Sequence, residues 1–282
     1  MKDTTVSIII PVYNEAHNIN KCLESLQEQT IESEIVVIDD GSTDASIEIV
    51  KNFKSKIPHL SAYSQSHTGP GAARNLGVKH AKGEILVFVD ADMTFAPDFL
   101  QNLVQPIETG KTRGTFTKTE YVSNWKNVWA RCWNYNLGLH DSRRLPKEYP
   151  ETAPVFRAIL KSEFARVGGF TPGIGWTDDW TLSRKLGYQA TTTSATCFHA
   201  NPDNLSDVWR QARWIGKNEF FTNGVLRMLW QAFRHSFPVS IVVGIVKSIR
   251  YLTLQFFLFK IVYDLAVSVS VLESPGSQER NK

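Results

Sequence analysis

The sequence predicts an α/β protein, in which a mostly parallel sheet flanked by helices precedes an apolar helical segment. Three observations predict this architecture. Short apolar runs alternate with stretches of helical periodicity, two of these runs end in aspartate clusters, and the chain becomes apolar with sparse charges after residue 223. Alternating strands and helices of this length favour parallel strands joined by helical crossovers.

The first half of the chain repeats a strand, a loop and a helix. The predicted strands are residues 6–10, 35–38, 60–64 and 85–89. Between the last two, a glycine-rich stretch opens a helix predicted over 72–80. Residues 115–121 form a further candidate strand.

Three tryptophans, Trp125, Trp129 and Trp133, follow at a spacing of four residues and would form one helical stripe. Packing of this stripe on the core is favoured over a sugar-stacking or membrane-facing surface, because aromatic residues most often serve as packing.

Composition excludes several classes of protein. A net charge of +3 spread along the chain lacks the clustered basic face of a nucleic-acid binder. Three widely spaced cysteines argue against a disulfide framework or a zinc site and favour a reducing compartment. The amino terminus lacks the pattern of a signal peptide, so we expect a cytoplasmic protein.

Ligands of parallel sheets bind beyond the carboxyl ends of the strands. The first strand brings Pro11, Tyr13 and Glu15 to that edge, and the second brings Asp39 and Asp40. These residues can hold a base and ribose, with Asp40 accepting a hydrogen from the base. An ordinary turn and helix cap remains the alternative for the two aspartates.

Asp90 and Asp92 follow the most apolar strand. Their carboxylates can address one Mg²⁺ or Mn²⁺ ion, although such a pair by itself is most often only solvated. Arg74 lies one turn into the helix after the glycine-rich stretch, where a diphosphate would bind. An exposed arginine is the alternative there.

Asp178 and Asp179 stand beside Trp180 and are the candidates for a general base, because apolar rings raise the pKa of a carboxyl group. Capping of the following helix is equally compatible with the pair. His199 is a structural residue or a ligand. Arg213 and Trp214 belong to a helix that forms a lid over phosphate and sugar or anchors a surface.

Five segments, taken in order, resemble family 2 glycosyltransferases with a GT-A fold, which is Rossmann-like. They are VSIIIPVYNE from Val6, DDGSTD from Asp39, GAARN from Gly71, DAD from Asp90 and TDDW from Thr177. The resemblance covers roughly residues 5–220.

The resemblance implies a role for each candidate. The residues implied to bind the nucleotide are Pro11, Tyr13, Glu15, Asp40, Arg74 and Asp90. Asp92, helped by Asp90, would carry a divalent metal, His199 would add a ligand, and Asp179 would be the base. Trp180, Arg213 and Trp214 would face the acceptor and phosphates.

The implied reaction is inverting transfer from a uridine or guanosine diphosphate sugar to a hydroxyl of a glycan or lipid-linked glycan. Polyprenyl phosphate as acceptor, or a non-catalytic nucleotide- or glycan-binding module, are the alternatives. Asp178 replaces the usual glutamate, and Arg210 occupies the glutamine position of the Gln-x-x-Arg-Trp pattern, so processive synthesis is not expected. A dinucleotide oxidoreductase is disfavoured because the first loop lacks G-x-G-x-x-G.

We expect a glycosyltransferase domain over 1–222, an apolar helical segment over 223–272 and a disordered tail over 273–282. Lys247, Arg250, Lys260 and Asp264 interrupt the apolar segment, so it offers no clean membrane span unless Lys260 and Asp264 pair. Peripheral or monotopic attachment to the cytoplasmic leaflet and packing on the core or on another subunit remain alternatives. The oligomeric state stays open.

Overall fold

The computed structural model describes residues 5–173, 178–219, 230 and 232–273, with the backbone alone at 178, 179, 217–219 and 271–273. The chain divides into two compact units. The first comprises residues up to 121 and 147–199, and the second comprises 122–146 and the residues from 200 onward. The boundary expected after residue 222 and the tail expected beyond 273 lie outside the described residues.

The strands are β1 (Val6–Val12), β2 (Glu34–Asp39), β3 (Leu60–Ser64), β4 (Ile85–Phe88), β5 (Met93–Phe95), β6 (Gly114–Val122), β7 (Thr152–Ala153), β8 (Ala158–Leu160) and β9 (Ala190–His199). Across the described residues they form one sheet in the order β3-β2-β1-β4-β8-β6-β9-β5, with β7 paired to β9. The predicted strands are confirmed to within two residues at each end.

Strands β3, β2, β1 and β4 are parallel, as predicted. The other half of the sheet is different, because β8 runs antiparallel to β4 and to β6, and β9 runs antiparallel to β5 and to β7. Apolar side chains cover both faces: Ile8 and Ile10 of β1 join one core cluster and Ile9 joins another. Since successive strand residues point to opposite faces, the two clusters lie on the two sides of the sheet.

The first unit contains the helices α1 (Ile19–Gln27), α2 (Ser46–Phe53), α3 (Pro70–His80), α4 (Phe99–Glu108), α6 (Lys161–Arg166) and α7 (Asp178–Leu186). Its helices pack against the sheet and confirm the predicted α/β class. The helix predicted over 72–80 begins two residues earlier, at Pro70, whose missing N–H costs nothing in a first helical turn.

The second unit contains the helices α5 (Val128–Asn136), α8 (Leu205–Glu219), α9 (Phe237–Arg250) and α10 (Gln255–Glu273). Trp133 of α5 is buried there and packs edge-on against Tyr263 at 5.5 Å, which confirms the packing interpretation for that tryptophan. Lys260 and Asp264, whose pairing the sequence made the condition for a membrane span, form an ion pair at 2.8 Å. None of the described helices has the combined length and apolar character needed to cross a bilayer.

Candidate active site

The candidate site lies in the first unit, at the carboxyl edge of its parallel strands. Strand β1 lies between β2 and β4, so the residues that follow these three strands meet at one edge. Helix α1 lies beside the loop after β4, since Cys22 Sγ is 3.8 Å from the backbone oxygen of Asp90. Burial raises the pKa of the Cys22 thiol, and the negative charges of Asp92, Asp90 and Glu15 raise it further.

The loop after β1 presents an aromatic surface. Tyr13, which is 43% exposed, stacks on His67 with ring centroids 4.0 Å apart. Pro11 is still within β1, in register with Ile38 of β2. The side chain of Glu15 accepts a hydrogen bond from the Asn18 amide at 2.9 Å.

Asp40 is only 2% exposed and shapes the loop that precedes α3. Its carboxylate accepts hydrogen bonds from the Gln65 side chain at 2.7 Å and from the backbone N–H groups of Thr68 and Gly69 at 2.9 and 2.8 Å. His67 Nδ1 lies 3.0 Å from its second oxygen. Asp40 thus ties the end of β2 to the glycine-rich loop.

Asp90 holds two arginines at the end of β4. Arg74 Nη2 lies 2.7 Å from one carboxylate oxygen, and Arg157 Nη1 lies 3.1 Å from the other. Burial opposes ionisation of this carboxyl group, but the guanidinium groups of Arg157 and Arg74 outweigh it and hold the pKa of Asp90 well below its ordinary value. The prediction placed Arg74 beside a diphosphate; the second guanidinium comes from a residue that the sequence did not single out.

His199 lies between two carboxylates. Its Nε2 is 2.8 Å from Asp92 Oδ2, and its Nδ1 is 3.0 Å from Glu120 Oε1. The sheet order explains this arrangement: β9, which ends at His199, runs between β6, which carries Glu120, and β5, which begins immediately after Asp92. In the β5–β9 register His199 is opposite Met93.

The donor atoms fit one divalent cation. Asp92 and His199 present an oxygen and a nitrogen 2.8 Å apart, a donor pair that a divalent cation such as Mg²⁺ or Mn²⁺ could share. Among the described residues no three His, Cys, Asp or Glu side chains are grouped so as to enclose a metal. Water and substrate oxygens would have to complete such a shell, as they commonly do for these ions.

The remaining predicted residues are placed as follows. Asp178 and Asp179 are the first two residues of α7, and their side chains lie outside the described part of the chain. Trp180 follows them and is half-buried. Arg213 and Trp214 lie on α8, in the second unit, with Trp214 exposed.

Sequence reasoning missed Glu120, Arg157 and the stacking role of His67. A signal existed for Glu120, since an acid inside the predicted strand 115–121 must find a partner if it faces inward. Arg157 had no comparable signal, because it precedes a strand of only three residues.

The model of glycosyl transferase family 2 matches residues 7–168, more than half of the chain. The uncharacterized glycosyltransferase YibD of Escherichia coli K12 is 41% identical over 100 residues, which are 35% of this chain and 29% of YibD. The similar stretch spans less than a third of the length of the first curated relatives.

Two solved structures are similar over nearly the whole chain. The mannosyltransferase PcManGT of Pyrobaculum calidifontis, in complex with GDP-Man and Mn²⁺, has a TM-score of 0.63 at 22% identity and covers 97% of this chain and 88% of its own. S. aureus TarS 1–349 in complex with UDP-GlcNAc has a TM-score of 0.57 at 18% identity, with 96% and 91% covered. At these identities the similarity shows the GT-A fold. The family match, which includes Asp40, Arg74, Asp90 and Asp92, shows that the chain belongs to glycosyl transferase family 2.

Proposed function

We propose that this protein transfers a sugar from a uridine or guanosine diphosphate sugar to a hydroxyl group of a glycan or lipid-linked glycan, with inversion at the anomeric carbon. The observation that carries the proposal is the convergence of Asp40, Arg74, Asp90, Asp92 and His199 at one edge of the sheet. The UDP-GlcNAc and GDP-Man complexes of the structural neighbours support a nucleotide sugar as donor.

The nucleoside would bind against the loop after β1. Tyr13, stacked on His67, offers a π-face to a base, while Pro11 and Glu15 border the ribose. Asp40 holds the loop of residues 65–69 in place, and a base N–H that binds its carboxylate would replace one of these donors.

The diphosphate would meet the two guanidinium groups held by Asp90. Arg74 and Arg157 can stabilise the charge that develops on the departing phosphate oxygens. Asp92 and His199 would hold a divalent cation. Asp90 would contribute by holding Arg74 and Arg157 in place. Such a cation, when bound, neutralises charge on the diphosphate and so improves it as a leaving group.

Glu120 would orient His199. If Glu120 accepts the Nδ1–H, the lone pair of Nε2 faces Asp92 and is available to a metal, which is the common carboxylate–histidine–metal arrangement. Glu120 is thus a positioning residue for the cation site.

The chemical step would be one displacement. Asp179, with Asp178 beside it in the chain, takes the proton of the acceptor hydroxyl as the hydroxyl oxygen forms its bond to the anomeric carbon. The bond from that carbon to the diphosphate oxygen breaks at the same time, and the electron pair leaves with the nucleoside diphosphate. Trp180 is proposed to contact the acceptor. The roles of Arg213 and Trp214 toward the acceptor and phosphates stay predictions from the resemblance.

A polyprenyl phosphate is the second candidate acceptor, since it is already anionic and needs no base. The exposed apolar side chains of α9 and α10 favour it. They also lead us to propose that the protein works at the cytoplasmic face of a membrane, attached peripherally or as a monotopic protein.

Binding of donor and metal tests the proposal. A panel of nucleotide sugars is screened by thermal shift with and without Mn²⁺, because a ligand that binds only the folded state raises apparent stability. We expect one nucleoside diphosphate sugar to stabilise the protein more with Mn²⁺ than without it. If no donor stabilises the protein, the proposed function is wrong.

Turnover measured with the donor that binds distinguishes the proposed metal ligand from the proposed base. Asp92→Asn should remove the Mn²⁺ effect on binding, whereas Asp179→Asn should keep donor binding and lose most turnover. Asp98→Asn, which changes an exposed carboxylate that accepts from Asn102, is the matched control. Near-normal turnover in Asp179→Asn would show that the base is another group.

A further inference from the structure

Helix α9 is apolar on its outside and polar on its inside. Its buried positions are Ser240, Gly244 and Ser248. Its exposed face carries large apolar side chains, namely Phe237, Val242, Ile245, Val246 and Ile249. Water-exposed helices have the opposite arrangement, so this face is suited to an apolar environment.

The inner side of the hairpin holds a hydrogen-bonded ionic cluster. Asp264 of α10 accepts from His235 Nδ1 at 2.6 Å, from Ser240 Oγ at 2.6 Å and from Lys260 Nζ at 2.8 Å, and all four side chains are buried. Because buried charges are tolerated when they are paired and hydrogen-bonded, the cluster explains how α9 can face its polar side inward. The sequence suggested the Lys260–Asp264 ion pair as a condition for crossing a membrane. The pair lies within α10, and Ser240 of α9 donates to the same carboxylate and so links the two helices.

The turn between α9 and α10 adds two exposed leucines. Leu252 is 92% exposed and has a φ of 50°, and Leu254 is 84% exposed. A leucine in the left-handed region is strained, and asparagine or glycine would suit that position better in water. An apolar tip of this kind is expected where the turn enters lipid.

The charge around this surface is positive. Arg234 and Arg250 are exposed, whereas Asp264, which is the one acidic residue of the sequence between 230 and 272, is buried. Exposed Trp230 lies 5.9 Å from the ring of Phe233, and aromatic rings of this kind favour the level of lipid headgroups. An anionic bilayer matches both the apolar face and its basic border.

We propose that the α9–α10 hairpin is a monolayer-inserting surface, in which the outer face of α9 and the tip at Leu252 and Leu254 enter the headgroup and acyl boundary of an anionic bilayer. This inference rests on the proposed membrane location and is independent of the proposed chemistry. Lying in the plane of the bilayer suits these helices, since no described helix could span one.

A label at the tip tests the insertion. The three native cysteines are buried, so Leu252→Cys can be labelled with an environment-sensitive fluorophore in the full chain. The control is Tyr63→Cys, an exposed position of the first unit that lies outside the hairpin. On vesicles of equal parts phosphatidylcholine and phosphatidylglycerol, the label at 252 should shift to the blue and be quenched by spin-labelled lipid, and the label at 63 should not. Unchanged emission at 252 would overturn the proposal.

A second variant removes apolar area without strain. Leu252→Asn with Leu254→Asn should weaken vesicle binding about tenfold or more, because each leucine forfeits its burial in lipid, and Tyr63→Asn, an exposed position of the first unit, should not. If the wild type forms a dimer that the double variant dissociates, with vesicle binding unaffected, the surface is a subunit contact and the proposal fails. Nucleotide-sugar binding is measured on the same samples, so a failure of the proposed function would be seen separately.

Discussion

Removal of Glu120 offers the sharpest test of the cation site, because this residue is expected to touch neither donor nor metal. Its carboxylate lies 3.0 Å from His199 Nδ1, and the side chains of Glu120 and His199 are only 11% and 15% exposed. Loss of a carboxylate that orients a metal-binding histidine typically weakens metal affinity by about 10- to 100-fold. Because both side chains are shielded from water, we expect the loss of affinity in Glu120→Ala to lie in the upper part of that range, which corresponds to about 2–3 kcal/mol of metal-binding free energy.

Glu120→Gln should have a smaller effect. The amide oxygen can still accept the Nδ1–H, but a neutral hydrogen bond is roughly half as strong as one to a carboxylate. We therefore expect Mn²⁺ affinity to fall about tenfold or less in this variant. Mn²⁺ affinity should therefore decrease in the order wild type, Glu120→Gln, Glu120→Ala. This order follows from how well residue 120 orients the imidazole and not from the size of its side chain.

Calorimetric titration of Mn²⁺ into protein saturated with nucleoside diphosphate measures the effect. Turnover at saturating Mn²⁺ should recover most of its wild-type value, since the change acts through affinity. Glu151→Gln is the control. Glu151 forms an ion pair with Lys118, which lies two residues before Glu120 on β6. Wild-type Mn²⁺ affinity in a folded Glu120→Ala protein would refute the positioning role.

Three further predictions concern stability. Asp90→Asn should lower the free energy of unfolding at neutral pH by about 2 kcal/mol, which is less than the cost of breaking a fully buried pair. In urea titrations the difference between this variant and the wild type should shrink below pH 3.8, because the pKa of Asp90 in the folded protein lies below that ordinary value. Burial lowers the pKa of Lys247 from 10.5 to about 8, so the wild type should gain stability relative to Lys247→Met as the pH rises from 8 to 10.5. Gly77→Ala should cost about 1–3 kcal/mol in thermal unfolding, since a methyl group there would come within 2.5 Å of Ile9.

The parallel half of the fold could be predicted because β1, β2 and β4 are largely continuous apolar runs between turn residues. Such runs are typical of strands buried on both faces. Strands β7 and β8 contain two and three residues, too few to show any period, so the antiparallel half was not predicted. The split into two units also escaped sequence reasoning, because residues 122–146 join a unit whose other members begin at residue 200.

The candidate site could be predicted only where its chemistry follows a strand directly. Asp40 and Asp92 were found in this way, whereas Glu120 was not, because its partner His199 is 79 residues away and the two meet only through the order of β6 and β9. The apolar segment illustrates a different limit. Its composition allowed burial in a core or exposure to lipid, and our proposal of lipid contact rests on the direction of each face of α9, which the sequence did not predict.

Asp90 and Asp92 are two residues apart, yet their neighbours suit them to different cations. Both oxygens of Asp90 are occupied by guanidinium groups at 2.7 and 3.1 Å. A divalent ion on the same carboxylate would lie roughly 4 Å from each guanidinium, where a double and a single positive charge repel by about 8 kcal/mol at an effective dielectric constant of 20. Asp92 has an imidazole as its neighbour, which can be neutral and donate a lone pair. The repulsion therefore favours Asp92 with His199 as the metal ligands, and it leaves Asp90 to hold Arg74 and Arg157 where a departing diphosphate would meet them.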